Sequence, residues 1–118
     1  VKPGHSGIIR VLYASKYSLY GLRSAWNHEA AFRQEVLLSI VLVAVSFLLP
    51  VSKVEHLLLI ASLALVVIVE LLNSALEAVV DRIGSDWHEL SGRAKDIGSS
   101  AVFIALCLAA FTWIYILV

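Results

Sequence analysis

Glu70, Asn73, Glu77 and Asp81 follow one another at steps of three and four residues. On a helix turning about 100° per residue they point to roughly 0°, 300°, 340° and 20°, inside a sector of about 80°. The helix that carries them is otherwise apolar. Such a stripe can act as polar glue between helices. Ionisable groups inside an apolar span are expensive, however, and by default they handle ions, protons or charged substrates.

Clustered carboxylates at an interface suit a hard divalent cation with oxygen ligands, Mg²⁺ above all. Held by one or two carboxylates, Mg²⁺ completes its shell with phosphate and water. Lys95 as a point charge and a further carboxylate as base would then make a phosphoryl-transfer site. The same residues suit a proton or cation relay in a small transporter, and periodicity does not separate the two. No G-x-x-x-x-G-K-[ST] loop and no glycine-rich dinucleotide motif occurs, so no standard nucleotide-binding fold supports a kinase.

The elements that must position this stripe follow from composition. The chain has 118 residues, 60% of them hydrophobic and 15% charged, too apolar for an ordinary soluble domain of that size. Its formal net charge is zero, which excludes a polycationic nucleic-acid binder. The single cysteine, Cys107, excludes an intrachain disulfide and a cysteine-type metal site. No signal peptide is visible, so the membrane segments are expected to stay in the mature protein. The expected architecture is all-α and membrane-embedded, one domain over residues 1–118. Residues 8–28 carry Ile8, Leu12, Ser15, Leu19, Leu22 and Trp26 at helical spacing, as in a helix lying in the membrane interface. Three spans follow at about 32–52, 57–80 and 97–118, with a polar connection over 81–96. Eight of the nine basic residues lie before the first span or between the second and third, Lys53 being the exception. The positive-inside rule therefore puts the N-terminus in the cytoplasm and the C-terminus in the periplasm. Three helices are too few to enclose the stripe, so a symmetric homo-oligomer is expected, with sites at subunit contacts.

At this point three runs become informative: 29–35 (EAAFRQE), 69–81 (VELLNSALEAVVD) and 88–96 (HELSGRAKD). They resemble the small integral-membrane diacylglycerol kinases of bacteria, from about Gly7 to the C-terminus. The resemblance implies a homotrimer of three-span subunits, each with an amphipathic surface helix. The implied reaction, at the cytoplasmic face of the inner membrane, is Mg²⁺-dependent transfer of phosphate from ATP to 1,2-diacyl-sn-glycerol, giving phosphatidic acid. It implies Glu70 as the general base for the lipid hydroxyl, with Asn73 as its polar partner, and Glu29 and Glu77 as the carboxylates that hold Mg²⁺ on ATP. Lys95 and Asp96 match the nucleotide-binding pair, and Arg10, Tyr17, Asp86, Trp87 and His88 fall where the family contacts ATP. Lipid contacts are implied for Arg10, Ala14, Arg23, Trp26, the run Ala31, Phe32, Arg33, Gln34 and Glu35, then Glu70 and Ser99. His28 stands where the family is expected to have asparagine, and Trp87 where tyrosine is usual. The alternatives are an undecaprenol kinase of the same fold and, in a different class, a cation- or proton-coupled transporter.

Overall fold

The computed structural model describes residues 6–84 and 86–118. Among them all regular structure is helical: α1 (Gly7–His28), α2 (Ala30–Ser46), α3 (Lys53–Ile83) and α4 (Glu89–Leu117).

α1 buries only Ala25 and leaves Ile8, Ile9, Val11, Leu12 and Leu19 exposed. Among the described residues nothing covers that apolar face. The helix breaks at Glu29, whose backbone is extended at φ −118° and ψ 105°. Glu29 nevertheless serves both neighbours: its N–H donates to the Ala25 carbonyl (2.9 Å), and its carbonyl accepts from Arg33 N–H (3.2 Å). The Arg33 guanidinium reaches back to the Trp26 carbonyl at 2.6 Å. A cation is favourable there, among the last carbonyls of a helix.

α2 stops at Ser46, short of residue 52. Leu48 N–H turns back to Val45 O and Leu49 N–H to Ser46 O, and Pro50 has no N–H with which to resume a helix. At 17 residues α2 alone falls just below the length of a span of about 20. α3 begins four residues ahead of Leu57, because Ser52 and Glu55 form a reciprocal capping box. α4 begins at Glu89, where the His88 imidazole caps the helix by accepting from Leu90 N–H at 3.0 Å. Much of the stretch read as polar connection is therefore helical, and the link between α3 and α4 is residues 84–88.

α3 and α4 pack most closely. Val66 lies against Ala105 and Ala109, with Val69 beside them, and small side chains on α4 allow close approach. Trp113 Nε1–H donates to the Leu59 carbonyl at 3.3 Å, tying the far end of α4 to α3. α2 is tied to α3 by Ser46 and His56, 2.8 Å apart. Since the Ser46 hydroxyl donates to Val43 O (2.6 Å), it accepts from His56 Nε2–H.

α3 and α4 are long and apolar enough to cross a membrane, and little of either apolar stretch is buried inside the chain. A core helix of a soluble protein would be covered on most sides; here Ile68, Leu72, Phe103, Ile104 and Phe111 stand exposed. Exposed apolar surface of this extent suits a membrane-embedded helix pair.

Candidate functional site

The acidic stripe lies on α3 as one face. Glu70 is buried, 6% exposed, with Asn73 and Glu77 half-buried and Asp81 exposed near the helix end. The burial of Glu70 has two sources. α4 covers the α3 face on which Val66 and Val69 lie, and α2 brings a second carboxyl against it. Glu35, in the second turn of α2, meets Glu70 at hydrogen-bonding distance. One of the two can donate to the other when it carries a proton. No protein donor reaches Glu35 Oε2, which is buried, and the same holds for Asn73 Oδ1. Beyond Glu35 an apolar groove of about 270 Å³ opens between α2, α3 and α4, lined by Leu38, Leu42, Leu63, Leu106 and Trp113 among others. Glu35 is the one carboxyl that lines this slot, and its partner Glu70 lies beside it, outside the lining.

Glu29 stands at the elbow between α1 and α2. Its carboxylate makes no capping hydrogen bond, so its oxygens are free for other work at the positive end of α2. It lies on a cleft of about 630 Å³ between α1 and α3, whose α3 wall is Leu71, Ser74, Ala75 and Ala78. That wall is the helix face next to the acidic stripe, and Glu77 is not part of it. Among the described residues no three or more of His, Cys, Asp and Glu converge to hold a metal. The donor set still fits Mg²⁺, which takes one or two carboxylates and completes its shell with phosphate oxygens.

The start of α4 carries the remaining charge. Lys95 Nζ lies 2.8 Å from Asp81 Oδ1, joining the end of the stripe to α4 ahead of the apolar run that begins at Ile97. The hydrogen bond and charge of Asp81 raise Lys95 above the ordinary lysine range. Asp96 points elsewhere, into a groove of about 400 Å³ with Trp87, Glu89, Arg93 and Ser100. Arg93 pairs with Glu89 at 3.5 Å. Trp87 is 85% exposed and Asp86 is exposed beside it, while His88 spends its Nδ1 on the helix cap.

The sequence-predicted residues thus fall into separate groups. Glu35 meets Glu70, while Asn73, one turn along α3, lies against Gly98; Lys95 joins Asp81; Trp87 and Asp96 share a groove. On α1, Trp26 is tied to Arg33, and Arg23 is exposed. Arg10, Ala14 and Tyr17 lie outside the α1–α3 cleft, which starts at Ser18, and Tyr17 stacks on Tyr13 at 6.3 Å. Ala31, Phe32 and Gln34 occupy the first turns of α2, with Phe32 buried, and Ser99 is exposed on α4. Sequence reading placed Glu35 only in a lipid-guiding run. Its pairing with Glu70 depends on how α2 crosses α3, which no periodicity within one helix reports.

Comparison with known proteins gives the family. The family model described as prokaryotic diacylglycerol kinase matches residues 16–117. A diacylglycerol kinase of Escherichia coli strain K12 is 54% identical over 112 residues, covering 95% of this chain and 92% of its own. One from Haemophilus influenzae is 52% identical over 108 residues, 92% of each chain. One from Pseudomonas aeruginosa is 54% identical over 114 residues, 97% of this chain and 93% of its own. With a family model matching residues 16–117 and relatives more than half identical over nearly its whole length, this chain belongs to the prokaryotic diacylglycerol kinase family and is a lipid kinase.

Proposed function

We propose that the protein transfers the γ-phosphate of ATP to the primary hydroxyl of 1,2-diacyl-sn-glycerol, forming phosphatidic acid and ADP at the cytoplasmic face of the inner membrane. The observation that carries this reading is Glu70: a carboxyl 6% exposed on an apolar helix, paired with Glu35, which itself lines an apolar groove between α2, α3 and α4. Diacylglycerol presents one hydroxyl at the polar boundary and two hydrocarbon chains below it, which is the chemistry this arrangement complements. The lipid oxygen forms its bond to the γ-phosphorus, the bond to the β-phosphate oxygen breaks, and Glu70 accepts the hydroxyl proton. Asn73, one turn away, holds the reacting groups in register. Lys95 and Asp96, with Arg10, Tyr17, Asp86, Trp87 and His88, hold the nucleotide. Arg10, Ala14, Arg23, Trp26, the 31–35 run and Ser99 guide the lipid.

Glu29 and Glu77 would hold Mg²⁺. When bound, Mg²⁺ neutralises phosphate charge that would otherwise repel the carboxylates around it. α2, extended by the turn at 47–49, forms the third span beside α3 and α4, and subunits assemble as a trimer that covers the exposed apolar faces. The direct test supplies ATP labelled at the γ-phosphate, in Mg²⁺, to protein in mixed micelles containing diacylglycerol, and in parallel micelles containing undecaprenol. Label is expected in phosphatidic acid. Preferential labelling of undecaprenol would transfer the reading to that lipid, and no Mg-ATP-dependent labelling of either would leave the transporter.

The metal assignment has its own expected result. Removing either the Glu29 or the Glu77 carboxylate should raise the Mg²⁺ concentration needed for half-maximal activity, and Glu77→Asp should be partly rescued at high Mg²⁺. An unchanged Mg²⁺ dependence in both variants counts against the pair.

A further inference from the structure

Asn73 and Gly98 meet where α3 packs on α4. A Cβ added at Gly98 would collide with Asn73 Oδ1, and would lie 3.3 Å from Asn73 Cγ and 3.5 Å from Leu76 Cδ2. No other glycine among the described residues is filled in this way. Gly7, Gly21 and Gly84 meet nothing within 4 Å, and Gly92 meets only Trp87 Nε1, at 4.0 Å. Glycine is disfavoured in a helix interior relative to alanine, so at Gly98 the missing side chain is matched by a close approach. The space it leaves holds the end of the Asn73 side chain.

The second observation is that Asn73 Oδ1 is buried without a hydrogen-bond partner. Buried carboxamides are normally oriented by the bonds they make. The Asn73 oxygen has no such bond, so the shape of its surroundings does the orienting: the Gly98 backbone on one side and Leu76 near it.

We propose that Gly98 is a positioning residue for catalysis, the seat that fixes the Asn73 carboxamide one helical turn from the base Glu70. This rests on the reading of Asn73 as the partner of Glu70 in phosphoryl transfer. Gly98 itself touches neither substrate nor base. A methyl group there forces the carboxamide out of its seat, toward the reacting groups or away from them, while the nucleotide-binding residues at the start of α4 keep their places.

Gly98→Ala, Asn73→Ala and the double variant, each purified in detergent as the full chain, test the proposal through kcat, the KM values for Mg-ATP and diacylglycerol, and thermal unfolding. Gly98→Ala is expected to lower kcat by up to about a hundredfold, the scale set by misplacing a catalytic group by about 1 Å, with the KM for Mg-ATP nearly unchanged. The double variant should be no slower than Asn73→Ala alone, because the seat has no function once its occupant is gone. Losses that multiply, or a Gly98→Ala enzyme with wild-type kcat, overturn the proposal and leave the role of Asn73 standing. Full turnover by Asn73→Ala instead removes Asn73 from the mechanism, and the positioning role with it. Where Gly98→Ala fails to fold, recovery of folding in the double variant supports the seat, since Asn73→Ala vacates the space; failure of both overturns it.

Discussion

Glu70→Gln should lower kcat by about two to four orders of magnitude, the usual contribution of a positioned general base. The KM for Mg-ATP should stay nearly constant. Glutamine keeps the shape of the side chain and can still hydrogen-bond to Glu35, so the packing around a residue only 6% exposed is preserved and the loss is chemical. In the proposed mechanism, what disappears is the group that receives the lipid proton. A parallel fall in nucleotide affinity would make Glu70 a ligand of the metal or the phosphates rather than a base, and the assignment would fail. A fall in kcat alone reports an interaction made in the transition state and absent from the nucleotide complex.

Much of this arrangement was legible in the sequence because it is periodic. The stripe at Glu70, Asn73, Glu77 and Asp81 lies on one helix, and one helix is what spacing describes. The element ends were harder, since hydropathy marks where a segment becomes apolar and not where hydrogen bonding begins. α3 starts at Lys53 because Ser52 and Glu55 cap each other, a signal of the S-x-x-E form present in the chain but masked by the more conspicuous apolar run from Leu57. α4 starts eight residues before Ile97 because the His88 ring caps it, and charged residues on an exposed first turn do not oppose a helix. α2 ends early because of Pro50 and the turn before it. Lys95 beside the stripe was legible, because the next helix starts near the stripe's end; the other contacts between helices were not. Glu35 against Glu70 and Gly98 under Asn73 each join residues whose neighbourhood is set by helix crossing. Ser46 and His56 are a further case: neither drew notice in the sequence, yet together they fasten the far end of α2 to α3.

If the pieces of one site come from more than one chain, as we propose, mixing two inactive variants should restore activity. The geometry of the single chain is the reason to expect it. Arg10, Ala14 and Tyr17 share one face of α1, at roughly 0°, 40° and 340° around a helix turning about 100° per residue. They lie outside the cleft that α1 makes with its own α3. Glu29 borders that cleft beside Leu71, Ser74, Ala75 and Ala78, on the helix face next to Glu77 and not on it. A single chain therefore presents this α1 face and the acidic stripe without closing one upon the other, and leaves wide apolar faces exposed. Ala14→Gln should block the α1 face by bulk, and Glu70→Gln removes the base, so each variant alone should be inactive. Unfolded together in equal amounts and refolded into detergent, they should regain about a quarter of wild-type activity, the chance that two independently drawn chains of a cyclic oligomer both supply an intact element. The regained activity should fall away from this maximum as either variant is put in excess. Mixed oligomers of the correct size that stay inactive at every ratio would place each site within one chain, and the gap between α1 and the stripe would then have to close by movement within that chain.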